Sequence, residues 1–215
     1  MGRQTLLESL LQLLFPERCA GCRQLGSLFC QACQARLAPY IPDARARPAS
    51  LAQVHIAYSF EPPLREAIHV LKYLKARRVA RPLGELLARH IAAQPYAFDA
   101  VAAIPLHPSR QAARGFNQAE ALAREVARAL ALPLIDGPLV RLRDTAQQAT
   151  QADTRARAEN MRGAFGWRGA PPPRRIVLVD DVYTTGATMN ACAEALRAAG
   201  AESVQALALA RSRLS

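Results

Sequence analysis

From about residue 53 onward, apolar residues recur along the chain with two alternating spacings. Short runs that alternate or are continuously apolar predict strands, and apolar residues at every third or fourth position predict amphipathic helices. The predicted strands are 53–60, 98–105, 132–142, 163–167, 176–179 and 203–210, and the predicted helices are 64–74, 82–93, 118–130 and 187–199. This alternation is typical of an α/β fold, an open and mostly parallel sheet with helices on both faces.

The run 176–179 predicts a strand that is buried on both faces, and two acids, Asp180 and Asp181, follow at its carboxyl end. Five small residues then lead into the next helix: Thr184, Thr185, Gly186, Ala187 and Thr188. Backbone N–H groups at the start of such a helix can surround a phosphate, and the paired acids can accept hydrogen bonds from two sugar hydroxyls. A ribose 5-phosphate offers both features. The simpler alternative is an acidic strand end followed by a capped helix.

A second polar segment, 106–117, follows the predicted strand 98–105 and contains Arg110, Arg114 and Gly115. Asn117 is placed to cap the helix 118–130. Because ligands of open parallel sheets bind at the carboxyl ends of the strands, this segment is a candidate second anion site beside the first.

Two further segments are candidates for function. Residues 143–162 are polar, with Gln148, Arg157 and Asn160, and have no sustained apolar period. A stretch of this length in a compact domain is usually functional or disordered. Lys72 is one of only two lysines, and a solvated helix face is the alternative to a chemical role.

The cysteines near the amino end form two pairs with the same spacing, Cys19-x-x-Cys22 and Cys30-x-x-Cys33. Two such pairs are typical of a structural zinc site with four thiolates, and a redox pair or a lost site is the alternative. We expect residues 1–45, an amphipathic helix and this knuckle, to dock on a larger domain, 50–215, through the proline-rich linker 38–48.

Composition adds little to this pattern. The 215 residues carry a formal net charge of +11, which favours an anionic partner such as nucleic acid. Almost all of that positive charge is arginine in an alanine-rich chain, so the support for nucleic-acid binding is modest. No apolar stretch reaches the roughly 20 residues that span a bilayer, and residues 5–15 lack a cleavage site. We therefore expect a cytoplasmic protein without a membrane span.

The segment 176–188 resembles the phosphoribosyl-pyrophosphate (PRPP) motif of type I phosphoribosyltransferases. The whole chain resembles the ComF family of competence-associated proteins. Besides the cysteine knuckle, the matching segments are 71–73 (Leu-Lys-Tyr), 104–108 (Ile-Pro-Leu-His-Pro), 114–118 (Arg-Gly-Phe-Asn-Gln), the stretch with Gln148, Arg157 and Asn160, 180–188 and the final Ala-Arg211.

The resemblance implies a type I phosphoribosyltransferase fold with Mg²⁺ and PRPP as ligands. Asp180 and Asp181 would hold the ribose hydroxyls, Thr184 to Thr188 would surround the 5-phosphate, and Arg114 would bind pyrophosphate. We count Asp180, Asp181 and Arg114 as candidate catalytic residues and add Lys72 to the PRPP-binding set. The segment 143–162 would close over the reacting carbon.

The resemblance also implies a role in handling single-stranded DNA with competence proteins. One departure concerns Thr184, which stands where purine-salvage relatives have an aspartate that acts as a base, and a threonine hydroxyl is not a base near neutral pH. The acceptor is therefore not readable from the sequence. A DNA-binding adaptor without catalysis and a PRPP-sensing regulator are the alternatives to an enzyme.

Overall fold

A computed structural model describes residues 17–42, 47–73, 76–95, 97–143, 161 and 163–212. Its centre is a five-stranded sheet in the order β1-β7-β6-β2-β3, and every pair in it is parallel. The strands are β1 Gln53–Ser59, β2 Ala100–Ala103, β3 Leu134–Ile135, β6 Arg175–Tyr183 and β7 Ser203–Arg211. A separate antiparallel pair joins β4, Leu139–Arg141, to β5, Phe165–Trp167.

The helices connect these strands. They are α1 Gln31–Ala35, α2 Leu64–Tyr73, α3 Ala80–Ala92, α4 Pro108–Arg114, α5 Gln118–Leu130 and α6 Ala187–Ala198, with a 3₁₀ turn at Arg77–Val79. In the part of the chain described, no helix has both the length and the apolar character that crossing a membrane requires.

Both faces of the central strand β6 are covered. Val177 and Val179 belong to the core shared with α2, α3 and α5, whereas Ile176 and Leu178 belong to the core shared with α6. All four side chains are fully buried, because a strand between two helical layers has no solvent-facing side. The α/β fold with helices on both faces is therefore confirmed.

The main differences from the sequence prediction concern three segments. The predicted strand 132–142 is divided between β3, in the central sheet, and β4, in the antiparallel pair. Strand β6 continues to Tyr183, so Asp180 and Asp181 lie within it and do not follow it; the pairing of β6 with β7 extends as far as Tyr183 and Arg211. The segment 106–117, predicted as a loop, contains α4, which has Pro108 in its first turn and no buried residue. A short helix without an apolar face leaves no periodic signal in the sequence.

The cysteine knuckle docks on the α2 and α3 layer. Cys19, Phe29 and Cys33 are buried in the same core cluster as residues of those helices. Gly21 lies so close to Pro63 that a Cβ on the glycine would stand 2.8 Å from the Cβ of the proline. The structure therefore shows the knuckle docked on the larger domain, as its sequence predicts.

Part of the predicted linker is ordered against the sheet. The N–H of Tyr40 donates to the carbonyl of Ala57 at 3.1 Å, and the N–H of Ser59 donates to the carbonyl of Ala38 at 2.9 Å. Residues 38–40 therefore run along the edge strand β1, which limits the exposure of its unpaired backbone groups. The predicted amino-terminal helix 5–15 lies outside the described residues, as do Gln148, Arg157 and Asn160 of the polar segment.

Candidate functional site

The two acids of β6 lie at the centre of the candidate site. Asp181 is 3% exposed, and its Oδ2 lies 2.5 Å from the ammonium of Lys72 at the end of α2. Asp180 is half-buried, and its Oδ1 accepts the backbone N–H of Asp181 at 2.8 Å. Lys72 is thus not on a solvated helix face, since its side chain is only 21% exposed and points to the acid pair.

A second set of contacts joins the acid pair to the segment after β2. Gln118, the first residue of α5, donates to Oδ1 of Asp181 at 3.5 Å. The guanidinium of Arg114 donates to the side-chain oxygen of Gln118 at 3.0 Å. Arg114 also lies over the ring of Tyr73, with 5.4 Å between the guanidinium carbon and the ring centroid. The acid pair and the candidate pyrophosphate segment therefore share one continuous network.

The turn after β2 is held in a defined shape. Gly115 has a φ of +78° and ends α4. Asn117 then caps α5 by accepting the N–H of Ala119 at 3.0 Å, as its sequence position predicts, and its amide donates to the carbonyl of Ile104 at 3.0 Å. The second hydrogen bond ties the start of α5 to the end of β2, which fixes the side chain of Gln118 beside the acid pair.

The candidate phosphate loop is built around Gly186. This residue has a φ of +80° and directly precedes the first residue of α6, Ala187. A Cβ at Gly186 would lie 2.1 Å from the hydroxyl oxygen of Tyr183, so the loop passes directly over the tyrosine ring. Thr184 is exposed, and the hydroxyl of Thr185 accepts the N–H of Ala187 at 3.4 Å. The remaining N–H groups at the start of α6 can bind a phosphate.

The charges of this site are unequally distributed. Burial raises the pKa of Asp180 well above its ordinary value, and the neighbouring Asp181 raises it further. Burial acts on Asp181 in the same direction, but Lys72 and the hydrogen bonds from Asp180 and Gln118 together outweigh it, and the pKa of Asp181 is lowered. For Lys72, burial would lower the pKa, yet Asp181 raises it above its usual range. The ion pair of Asp181 with Lys72 therefore lies beside a carboxyl group whose pKa is raised.

The four cysteines of the knuckle come together as their spacing predicts. Their sulfur atoms all lie within 4.8 Å of one another, and the Sγ–Sγ distances are 3.6 Å for Cys19–Cys33 and 3.7 Å for Cys22–Cys30. Zinc–sulfur bonds of about 2.3 Å in a tetrahedron require sulfur atoms about 3.8 Å apart. The thiols therefore fit a tetrahedral metal ion.

The chemistry of these thiols agrees with the distances. Burial opposes ionisation of Cys19, but N–H groups of Cys30, Cys22 and Gly21 donate to its sulfur, and its pKa is lowered to about 6. Burial and the neighbouring thiols raise the pKa of Cys33. The crowded thiols compete to carry one negative charge, and a bound divalent cation would relieve this competition.

The sequence analysis missed Gln118 and Tyr73 as members of the site. Both stand in segments that carry the family resemblance, 114–118 and 71–73, so the motif was the available signal. Their roles depend on which way α2 and α5 present their side chains, and a one-dimensional pattern does not contain that information.

An open parallel sheet with an acid pair, a phosphate-type loop and a basic segment at the carboxyl edge defines a phosphoribosyltransferase fold. Residues 69–214 match the phosphoribosyl transferase domain family. The chain is 31% identical over 207 residues to competence protein F of Haemophilus influenzae, covering 90% of each protein. It is 34% identical over 158 residues to DNA utilization protein YhgH of Escherichia coli K12, covering 71% of this chain and 69% of that one. The chain belongs to the phosphoribosyltransferase domain family and, within it, to the ComF family of competence-associated proteins.

Among solved structures, adenine phosphoribosyl transferase from Trypanosoma brucei matches 65% of this chain and 55% of its own, with 16% identity and a TM-score of 0.40. A likeness of that size carries no argument about the site.

Proposed function

We propose that this protein binds PRPP with Mg²⁺ and transfers the phosphoribosyl group to an acceptor, releasing pyrophosphate. One observation carries the proposal: Arg114, Gln118 and Asp181 form a continuous chain of contacts that reaches Lys72. This network joins a basic segment to an acid pair one strand away, which suits a ligand with a ribose between two phosphate groups.

Each group has a role in this proposal. Asp180 and Asp181 accept the ribose hydroxyls, and the backbone N–H groups of 184–188 bind the 5-phosphate. Arg114 binds pyrophosphate through its planar, permanently charged guanidinium. Mg²⁺, when bound, neutralises charge on the leaving pyrophosphate. Lys72 keeps Asp181 ionised, so that one strong acceptor is ready when the sugar arrives.

The acceptor must react without help from a base at position 184. Thr184 is exposed at the position where a base would stand, and its hydroxyl does not accept a proton near neutral pH. The proposal therefore favours an acceptor whose attacking atom is already deprotonated or carries a free lone pair.

Calorimetric titration with Mg²⁺ and PRPP tests the binding step. The double variant Asp180→Asn with Asp181→Asn is expected to lose saturable binding, because the amides replace both carboxylates at almost unchanged volume. Asp136→Asn is the matched control, since Asp136 is an exposed acid near the end of β3. Equal affinities in the double variant and the wild type would remove the acid pair from the PRPP site.

A second candidate is a single-stranded DNA-binding protein that keeps the fold without the transfer step. The net charge of +11 and Thr184 at the base position favour it. The affinity for single-stranded DNA should then fall steeply with salt, because phosphate contacts release counterions. A salt slope near zero would exclude this candidate. The partnership with competence proteins that we propose depends on the same DNA binding.

A screen for pyrophosphate release separates an enzyme from a PRPP-sensing regulator. Nucleobases, ammonia and single-stranded DNA are the first acceptors to test. A sensor would bind PRPP and release no pyrophosphate with any of them, whereas a transferase would release it with its acceptor.

For the knuckle we propose one structural zinc ion, held by Cys19, Cys22, Cys30 and Cys33. All four tetrahedral positions would then be filled by protein, which leaves no place for a substrate. Metal analysis should find one zinc per chain. We also propose a cytoplasmic location, where both PRPP and reduced thiols are available.

A further inference from the structure

Gln118 is a buried polar side chain to which no role has been given above. It is the first residue of α5, and only 5% of it is exposed. Burial of a side-chain amide is unfavourable unless its polar atoms find partners. The oxygen of Gln118 accepts from Arg114 at 3.0 Å, and its nitrogen donates to Oδ1 of Asp181 at 3.5 Å. Both ends of the amide are thus engaged by groups of the candidate site.

The chemistry of the two partners sets the direction of this amide. A guanidinium has only donors, so the oxygen of Gln118 faces Arg114 and its NH₂ group is left for the carboxylate of Asp181. An ionised acid at this position would have no donor for the carboxylate, and a cation would have no acceptor for the guanidinium. An uncharged amide is therefore the group that serves both partners at once.

The amide also separates two opposite charges. An arginine and an aspartate that meet directly form a two-bond ion pair, which takes up donors of the arginine. With Gln118 between them, Arg114 gives one nitrogen to the amide and lies with its face over Tyr73. The guanidinium is therefore held from two sides, and most of its five N–H donors are not needed to hold it.

The backbone at the start of α5 determines where the amide lies. The side chain of Asn117 accepts the N–H of Ala119 and donates to the carbonyl of Ile104, directly after β2. Strand β2 pairs with β6, which carries Asp181, and neighbouring strands are about 4.8 Å apart. Gln118 is thereby held at a short, defined distance from the acid pair.

We propose that Gln118 is a positioning residue for the transfer reaction: its amide holds Arg114 at the place of the pyrophosphate and prevents that arginine from pairing with Asp181. This inference rests on the function proposed above. In PRPP the pyrophosphate is bonded to C1 and the hydroxyls to C2 and C3. The cation for the first and the acid for the second must therefore lie close together without neutralising each other.

Calorimetric titrations with Gln118→Met test the role of the amide. Methionine keeps the length of the side chain and has no donor for Asp181 and only a weak acceptor for Arg114. The affinities for PRPP and for pyrophosphate, both with Mg²⁺, should fall tenfold or more. The affinity for ribose 5-phosphate, which has no group for Arg114, should fall less than threefold. Gln31→Met, at an exposed position of the knuckle, is the matched control and should stay within twofold for all three ligands.

Gln118→Glu provides a readout that a merely structural role would not move. A protonated glutamic acid has the shape of glutamine, and it can accept from Arg114 while its O–H donates to Asp181. Once ionised, it pairs with Arg114 and repels Asp181. Relative to the wild type at the same pH, PRPP affinity should be reduced tenfold or more at pH 8, and the deficit should shrink at least threefold at pH 5. Gln31→Glu should match the wild type at both pH values.

Three outcomes would overturn the inference. They are wild-type PRPP affinity in Gln118→Met, equal losses of PRPP and ribose 5-phosphate in that variant, and a deficit in Gln118→Glu that is the same at both pH values. If Gln118→Glu does not fold, as judged by its thermal melt, Gln118→Met decides the test. Failure of the proposed function is seen separately, as a wild-type protein that does not bind PRPP. The pyrophosphate titrations then still report whether Gln118 holds Arg114 in place.

Discussion

Lys72 and Asp181 form a buried ion pair of 2.5 Å between the end of α2 and the central strand. This contact makes the two adjacent acids differ, because among the described residues a cation pairs with Asp181 and none pairs with Asp180. In the free protein the pKa of Asp181 is therefore lowered and the pKa of Asp180 is raised. Substitutions at the two positions should have opposite effects on stability although both are aspartate-to-asparagine changes.

Asp180→Asn should stabilise the free protein at neutral and alkaline pH. Folding raises the pKa of Asp180, so its contribution to stability is complete below the unfolded pKa and is lost as the pH rises through the folded value. An asparagine can still accept the N–H of Asp181 and carries no charge to bury. We expect a gain of roughly 1–2 kcal/mol in the free energy of unfolding at pH 8, measured by urea denaturation, and little gain at pH 4. A loss at pH 8 would contradict the raised pKa of Asp180.

Asp181→Asn should destabilise the protein. The pKa of Asp181 is lowered by folding, so its contribution is present above the unfolded pKa and is lost as the pH falls through the folded value. The asparagine leaves the ammonium of Lys72 without its carboxylate in a largely buried position. Removal of one partner from a buried pair costs roughly 3 kcal/mol. The loss should be measurable by urea denaturation at pH 7, and it should shrink in the double variant with Lys72→Met.

Lys72→Met should make PRPP binding depend on pH near neutrality. Without the ammonium, two buried carboxylates stand side by side, and the pKa of the pair rises because both cannot ionise. PRPP affinity measured from pH 5 to 9 should then increase with pH, while the wild type varies less. Arg65→Met on the exposed side of α2 is the matched control. Parallel pH profiles for the three proteins would exclude Lys72 as the group that keeps Asp181 ionised.

Most of the fold could be predicted from the sequence because its elements carry strong periodic patterns. Helix α5 matches its predicted bounds, Gln118–Leu130, and α6 differs from its prediction by one residue at its end. The failures occur where packing gives no pattern. Helix α4 has no buried face, and β6 extends through two acids that a propensity argument would place outside a strand.

The candidate site was predictable in its parts but not in its connections. The residues 180–188 and the four cysteines follow from local spacing. The contacts of Lys72 and of Gln118 with Asp181 each join residues that lie far apart in the chain. Both require the sheet topology, which places β7 and β2 on either side of β6.

Loss of the zinc ion that we propose for the knuckle should destabilise the domain beneath it. Cys33→Ser and Cys22→Ser should each lose the metal. Cys33 is buried in the core that includes Leu64, whereas Cys22 is exposed. We expect Cys33→Ser to lower the free energy of unfolding by ~2 kcal/mol more than Cys22→Ser, because it also buries a hydroxyl. Metal analysis and urea denaturation check this. Normal metal content in either variant would contradict the metal site, and equal free energies of unfolding would contradict the added cost at Cys33.

Gly186→Ala should damage the phosphate loop beyond the cost of its backbone conformation. Gly186 and Gly137 both have positive φ values, +80° and +96°. A Cβ at Gly137 meets nothing within 4 Å, whereas one at Gly186 collides with Tyr183. Gly137→Ala should therefore cost only about 1 kcal/mol from the strained φ and leave PRPP affinity unchanged. Gly186→Ala must also displace the ring of Tyr183 or the loop, and PRPP affinity should fall tenfold or more in calorimetry. If the two variants bind PRPP alike, the close approach of the loop to Tyr183 is not needed to form the phosphate site.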